Sequence, residues 1–177
     1  MKKLLLSIAM VAVGFTANAQ KNVVKANPLG LAIGVAELSY ERAVSEKQSF
    51  ELGIAYSSFD VTGDGGDKVE TSSIGAEGKY KFYFSSDKDA PRGWYAAPFV
   101  SYSTSSVDND GTKGDINAFA GGALAGYQWV FGGGDSGFAL DLNFGAQYMS
   151  VSTSGNISSV SIDGFLPRLG VSLGYAW

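Results

Sequence analysis

The chain has 177 residues, 13 basic and 17 acidic side chains, a formal net charge of −4, and neither Cys nor His. Its length suits one domain. The missing Cys excludes disulfides and thiol chemistry, and the missing His removes the usual general base, the usual metal ligand and the Ser-His pair of hydrolases.

An acidic balance is a poor match for nucleic acid. By contrast, 24 Gly beside 11 Phe, 9 Tyr and 3 Trp fits a membrane β-barrel. Met1-Lys2-Lys3 forms a positive start, and Leu4 to Phe15 is apolar apart from Ser7 and Gly14. Thr16-Ala17-Asn18-Ala19 ends in an A-x-A cleavage pattern. Residues 1–19 therefore read as a secretory signal peptide, too short for a spanning helix, with the barrel domain over 20–177. Cleavage would remove Lys2 and Lys3 and take the net charge to −6. No Cys follows to carry a lipid anchor.

After a polar lead-in at 22–27, Pro28 is predicted to open a strand. Leu29, Leu31, Ile33 and Val35 would form its bulky face and Gly30, Ala32, Gly34 and Ala36 its bare one. A turn near Ala36 leads to a second strand, with Leu38, Tyr40 and Val44 opposed to Ser39 and Glu41. Ser45 to Gln48 is a compact turn. The third strand sets Phe50, Leu52, Ile54 and Tyr56 against Glu51, Gly53, Ala55 and Ser57. Asp60 to Glu70 reads as a loop. The fourth strand, about 72–84, sets Ile74, Ala76, Tyr80, Phe82 and Phe84 against Glu77, Lys79, Lys81 and Tyr83.

A turn at 85–93 holds Pro91. The fifth strand, 94–103, is read with Trp94, Ala96, Pro98, Val100 and Tyr102 outward. Pro98 is expected to cost a ladder donor and to mark a bulge. A polar loop at 104–115 precedes a sixth strand to Phe131, whose outer face carries Ala123, Ala125, Tyr127, Trp129 and Phe131. After a turn at 132–137, Phe138, Leu140, Leu142, Phe144, Ala146 and Tyr148 alternate with Asp141, Asn143, Gly145 and Gln147. A third polar loop spans 150–163. In the closing strand, 169–177, Leu169, Val171, Leu173, Tyr175 and Trp177 alternate with Gly170, Ser172, Gly174 and Ala176.

The bare face suits a narrow lumen and the bulky face suits lipid. The expected fold is all-β: an eight-stranded antiparallel up-and-down transmembrane barrel, closed by pairing of the first and last strands. Its short turns would be periplasmic and its long loops external. Phe50, Tyr80, Phe82, Phe84, Trp94, Tyr127, Trp129, Phe138, Tyr175 and Trp177 all fall at one predicted membrane edge, as in an aromatic girdle.

The stretches Lys25-Ala26-Asn27-Pro28-Leu29-Gly30-Leu31, Leu38-Ser39-Tyr40-Glu41-Arg42-Ala43, Gly78-Lys79-Tyr80-Lys81-Phe82-Tyr83 and Gly93-Trp94-Tyr95 carry a resemblance. Ser-Tyr-Glu-Arg is the sharpest part. The chain resembles a family of small Gram-negative outer-membrane β-barrels of unknown function. More loosely, it is similar to the OmpA, OmpX and OmpW class. The resemblance implies location in the cell outer membrane, contact with its lipid, and insertion by the outer-membrane assembly machinery, which reads a terminal aromatic such as Trp177. It supplies no reaction and no catalytic residue.

Parity points Glu41, Glu51, Glu77, Lys79, Lys81, Asp141 and Arg168 into the lumen. Charges there must pair or meet water, so they are expected to form a salt-bridge plug in a non-enzymatic protein with a structural or surface-interaction role. Two alternatives remain: a gate in a narrow porin, or acid–base work by paired carboxylates, which lacks any accompanying nucleophile. A secreted lipocalin-like barrel with its bulky faces inward is the structural alternative. No cofactor or metal is expected. Ser106, Asp108, Asp110 and Gly111 only partly imitate a calcium loop, because Asn117 stands where a bidentate Glu belongs. Gly132-Gly133-Gly134 precedes no phosphate-cradling helix, and the sequon at Asn156 carries no weight in a bacterial barrel.

Overall fold

The computed structural model describes residues 21–62, 68–109, 112–132, 136–155 and 162–177. The segment read as a signal peptide and the sequon lie outside these residues. So do the Gly-Asp-Gly-Gly-Asp run at 63–67, Asp110, Gly111, Gly133 and Gly134.

Period-2 alternation produces eight strands: β1 (Asn22–Ala26), β2 (Val35–Ser45), β3 (Gln48–Thr62), β4 (Lys68–Tyr83), β5 (Gly93–Asn109), β6 (Thr112–Phe131), β7 (Gly137–Gly155) and β8 (Ile162–Ala176). Each pairs antiparallel with the next, and β1 closes the barrel against β8. This is the expected all-β up-and-down order.

The start of the barrel differs from the reading of the sequence. The strand that meets β8 is the supposed lead-in, with Val24 opposite Tyr175 and Lys25 opposite Gly174. Pro28–Ala32 is a five-residue helix, α1, instead of a strand. Asn27 caps it, its side chain accepting from the backbone N–H groups of Leu29 and Gly30, with Pro28 in the first turn. Asn followed by Pro is a helix-start signal. Parity gives the deeper reason. Val23 and Lys25 face the lumen, so a straight continuation of β1 would drive Leu29, Leu31 and Ile33 into it. The helical turn leaves all three exposed. Ala36 accordingly lies within β2 and not at a turn.

The three polar loops are also shorter than read. β3 and β4 pair as far as Thr62 opposite Lys68, β5 and β6 as far as Asn109 opposite Thr112, and β6 and β7 as far as Gly114 opposite Gly155. β8 begins at Ile162. These extensions are rich in Ser, Thr and Asp, so hydrophobic alternation fades while the backbone ladder continues. Hydrogen bonds across the ladder need no apolar face. Pro98 interrupts the β4 ladder between Phe99 and Ala96, but the register resumes unchanged, so no bulge forms there. The register shift sits instead between Ala43 and Ser45, next to the turn at 46–47.

The two faces differ sharply. On β7, Asp141 is 2% exposed while Leu142 and Phe144 are 40% and 58% exposed. On β5, Tyr95, Ala97 and Phe99 are enclosed while Trp94, Val100 and Tyr102 stand outside. That settles the parity of this strand as read.

Candidate functional site

The lumen is built by one rule: each strand turns its small and ionic residues inward, and the ionic ones meet at one level. Lys25 from β1, Glu41 from β2, Glu51 from β3, Lys81 from β4 and Asp141 from β7 are all essentially fully buried. Glu41 and Glu51 are direct cross-strand partners, an arrangement of like charges that is unfavourable by itself. Two ammonium groups resolve it. Lys25 Nζ lies 2.6 Å from Glu41 Oε2, 2.5 Å from Glu51 Oε2 and 3.0 Å from Asp141 Oδ2. Lys81 Nζ lies 2.9, 2.8 and 2.7 Å from the same three atoms.

Neutral donors and acceptors complete the lattice. Tyr83 Oη donates to Glu41 Oε1 at 2.7 Å, and Ser49 Oγ donates to the same oxygen. Tyr95 Oη donates to Asp141 Oδ1 at 2.6 Å, and its ring lies 4.3 Å below Lys81 Nζ. Gln128 from β6 accepts from Lys25 at 3.0 Å and donates to the carbonyl of Pro91 at 2.7 Å. Gly126 makes this packing possible, because a Cβ there would stand 2.6 Å from the Tyr95 hydroxyl and ring.

A second tier continues away from the turns. Lys79 bridges Glu51 (3.0 Å) and Glu77 (2.9 Å). Glu77 receives both terminal nitrogens of Arg168, at 2.5 and 2.9 Å, in a fork geometry that holds the guanidinium firmly. The guanidinium also lies 4.4 Å from the centre of the Phe99 ring. Thus Glu41, Glu51, Glu77, Lys79, Lys81, Asp141 and Arg168 lie in one connected lattice, and all eight strands contribute a side chain to it. Sequence reasoning missed Lys25, whose segment was read as a lead-in, and did not assign Tyr95 and Gln128. Parity on β5 and β6 would have found the last two.

Below the lattice the turn at 84–92 tucks under the barrel. Ala90 and Pro91 are buried, and the Ala90 N–H donates to the carbonyl of Glu46 at 2.7 Å. Ala43, Tyr83, Ala90, Tyr95 and Ala97 form an apolar cluster there. Above the lattice lies a cavity of about 280 Å³ whose lining includes Glu37, Gly53, Gly75, Ser101, Gln147 and Arg168.

The chemistry open to this site is narrow. Glu41, Glu51 and Asp141 bring carboxylate oxygens within 4.8 Å of one another, as a metal site would. The ammonium groups of Lys25 and Lys81 hold the place a cation would take, so the three residues do not fit a metal. Each carboxylate of the lattice is neutralised by an ammonium or guanidinium group, and the hydroxyls of Ser49, Tyr83 and Tyr95 are held as donors to these carboxylates. Among the calcium-like residues, Ser106 donates to Asp115 (2.9 Å) and Asn117 accepts from the Tyr102 hydroxyl (2.8 Å) across paired strands.

The outer surface is the second notable feature. Phe50, Tyr80, Phe82, Phe84, Trp94, Tyr127, Trp129, Phe138, Tyr175 and Trp177 ring the end that carries the turns. Neighbouring rings touch, as in Trp94–Tyr127 at 5.1 Å and Tyr127–Trp129 at 4.4 Å. A second, partial ring, missed in the sequence, lies nearer the other end on five of the eight strands: Tyr56, Tyr102, Phe119, Tyr148 and Phe165. Tyr148 and Phe165 stack edge-on at 5.3 Å. Phe138 and Tyr148, on one strand, are about 24 Å apart along the barrel axis at ~3.4 Å per residue and a tilt of ~45°. Between the rings the wall is apolar, including Leu52, Ile54, Val100, Leu142, Phe144 and Leu169.

A family model described as a protein of unknown function, DUF3575, matches residues 5–156. No curated protein and no solved structure matches the chain.

Proposed function

The chain belongs to the DUF3575 family of proteins of unknown function, and from its barrel we propose a non-enzymatic outer-membrane protein with a plugged lumen. Residues 1–19 act as the export signal, lipid covers the band between the aromatic rings, and the assembly machinery inserts the chain through its closing strand. The role is structural or surface-interacting, carried by the polar strand extensions beyond the second ring.

One observation carries this reading: burial is inverted. Lys25, Glu41, Glu51, Lys81 and Asp141 are enclosed, while Phe165 and Leu169 are 80% and 85% exposed. Burying charges costs several kcal/mol per ion unless they are paired, and exposing a continuous apolar band to water is costly too. Pairing within the lattice offsets the first cost, and the second disappears if the band meets hydrocarbon. On β7 and β8 the spacing of the rings supports this, being close to the ~25 Å apolar band of outer-membrane barrels. A lipocalin-like barrel needs the opposite faces inward. The lattice and the buried turn beneath it argue against a conducting pore.

Fractionation of cells with a carbonate wash, combined with heat-dependent gel migration, tests the reading. The chain should stay with the membrane and run faster unheated than heated. Release into the wash with no heat-dependent shift would refute it.

A further inference from the structure

Closure of the barrel is incomplete in height. β8 is paired with β7 along its whole length, from Gly137 opposite Ala176 to Val151 opposite Ile162. On its other side β1 covers only Leu173 to Ala176. Among the described residues, 162–172 of β8 have no strand on that edge, and no backbone hydrogen bond joins them to 27–34. α1 stands in the gap.

Among the described residues, the polar tethers at the start of α1 run to Glu37 of β2. Asn27 donates to Glu37 from its backbone N–H (to the carbonyl, 3.3 Å) and from its side-chain amide (2.9 Å), while its side-chain oxygen caps the helix. Gly34 (φ +83°) joins α1 to β2 in a left-handed conformation that other residues resist. The helix is held by the chain at both ends, through Ala26, which pairs with Leu38 and Leu173, and through Gly34, while among the described residues no backbone hydrogen bond joins it to 162–172 of β8. Its outer side chains Leu29, Leu31 and Ile33 are apolar and exposed. Leu31 borders an apolar groove of about 730 Å³ that runs over Leu38, Ile54, Ile74 and Tyr102. Behind the gap lies the cavity above the plug, lined by Glu37 from β2 and Arg168 from β8, one from each side; Arg168 is already neutralised by Glu77, and the Glu37 carboxylate accepts from the Asn27 amide.

We propose that the half-height gap between β8 and β2 is a lateral portal, with α1 as its door. It passes neutral or cationic apolar small molecules between the bilayer and the upper lumen. This rests on the membrane reading above. At membrane depth, backbone without strand partners is tolerated only where it is buried in protein or lines a wet cavity, and the upper lumen supplies that water. The plug closes the other way out, so a guest in the upper lumen can exchange through the gap or through the end away from the turns.

The chain has no Cys, so single-cysteine variants of the full chain in vesicles test this cleanly. Val100→Cys reports the outer wall, and Ser101→Cys reports the cavity one residue away. The probe is a long-chain alkyl maleimide dissolved in the lipid. Both sites should react, and adding Asn27→Ala should speed reaction at Ser101→Cys about five-fold, the scale of losing a helix cap, with Val100→Cys unchanged. Glu37→Ala, which cuts the same tether from the other side, should act alike and covers failure of the first variant to fold. Reaction at Val100→Cys alone, or a Ser101→Cys rate indifferent to both tether variants, overturns the portal and leaves the membrane reading intact. The carbonate wash and heat-dependent migration test the membrane reading separately, so its failure is distinguishable from that of the portal.

Discussion

Lys25 and Asp141 are 116 positions apart in the chain, yet the Lys25 ammonium nitrogen and the Asp141 Oδ2 stand 3.0 Å apart inside the barrel. Their strands, β1 and β7, are not neighbours; β8 lies between them. The charged lattice thus ties the wall together across the lumen, where ladder hydrogen bonds cannot reach.

This gives the lattice a measurable worth. Lys81→Met leaves Glu41, Glu51 and Asp141 with one ammonium fewer, and breaking a buried pair costs about 3–5 kcal/mol. A urea titration of the folded barrel should show a loss of that size. Lys81→Met combined with Asp141→Leu should lose less than the two single changes summed, because the double change removes opposite charges together.

The second tier separates plugging from gating. Glu77→Ala frees Arg168 and removes one of the two partners of Lys79, so folding should weaken by about 1.5–3 kcal/mol, the range for hydrogen bonds to charged groups. Conductance across a planar bilayer should stay at baseline, since the deeper lattice and the buried Ala90-Pro91 turn remain. A large conductance rise with unchanged stability would mean that Glu77 gates a pore.

Gly126 makes a steric prediction. Any side chain there meets Tyr95, whose hydroxyl holds Asp141 at 2.6 Å. Gly126→Ala should therefore lower the urea midpoint. Tyr95→Phe, which keeps the ring and loses only the hydroxyl, should cost less, about 1–3 kcal/mol for the lost hydrogen bond to a buried carboxylate, since the Asn143 amide still donates to the same oxygen at 3.5 Å.

The outer wall can be probed by position. Leu142→Arg, between the two aromatic rings, should cost about 2–4 kcal/mol and impair insertion into vesicles. Ser152→Arg, on the same strand beyond Tyr148, should insert normally. Equal effects at both sites would contradict the proposed lipid band between the two rings.

Much of this was legible in the sequence wherever two contrasting faces alternate. Leu142 and Phe144 against Asp141 and Asn143 fixed the parity of β7, and parity alone turned Glu41, Glu51 and Lys81 toward the lumen. Legibility failed where a local rule outranked alternation. Leu29, Leu31 and Ile33 alternate well, but the Asn27-Pro28 start and the phase inherited from Lys25 make that stretch a helix. It failed again where both faces are polar: Ser105, Ser106 and Thr112 read as loop, although the backbone ladder continues through them. The second aromatic ring was hidden for a related reason. Tyr56, Tyr102 and Phe119 lie mid-strand, and only the register reveals that they belong to one group, with Tyr102 opposite Phe119.

The chain carries its own reporters for the central claim. Its 3 Trp residues, Trp94, Trp129 and Trp177, all lie in the ring at the turn-bearing end. In vesicles made with brominated lipids, their fluorescence should be quenched, and more strongly by bromine near the headgroups than by bromine at mid-chain. Fluorescence that no brominated lipid alters would contradict a barrel whose apolar wall meets lipid.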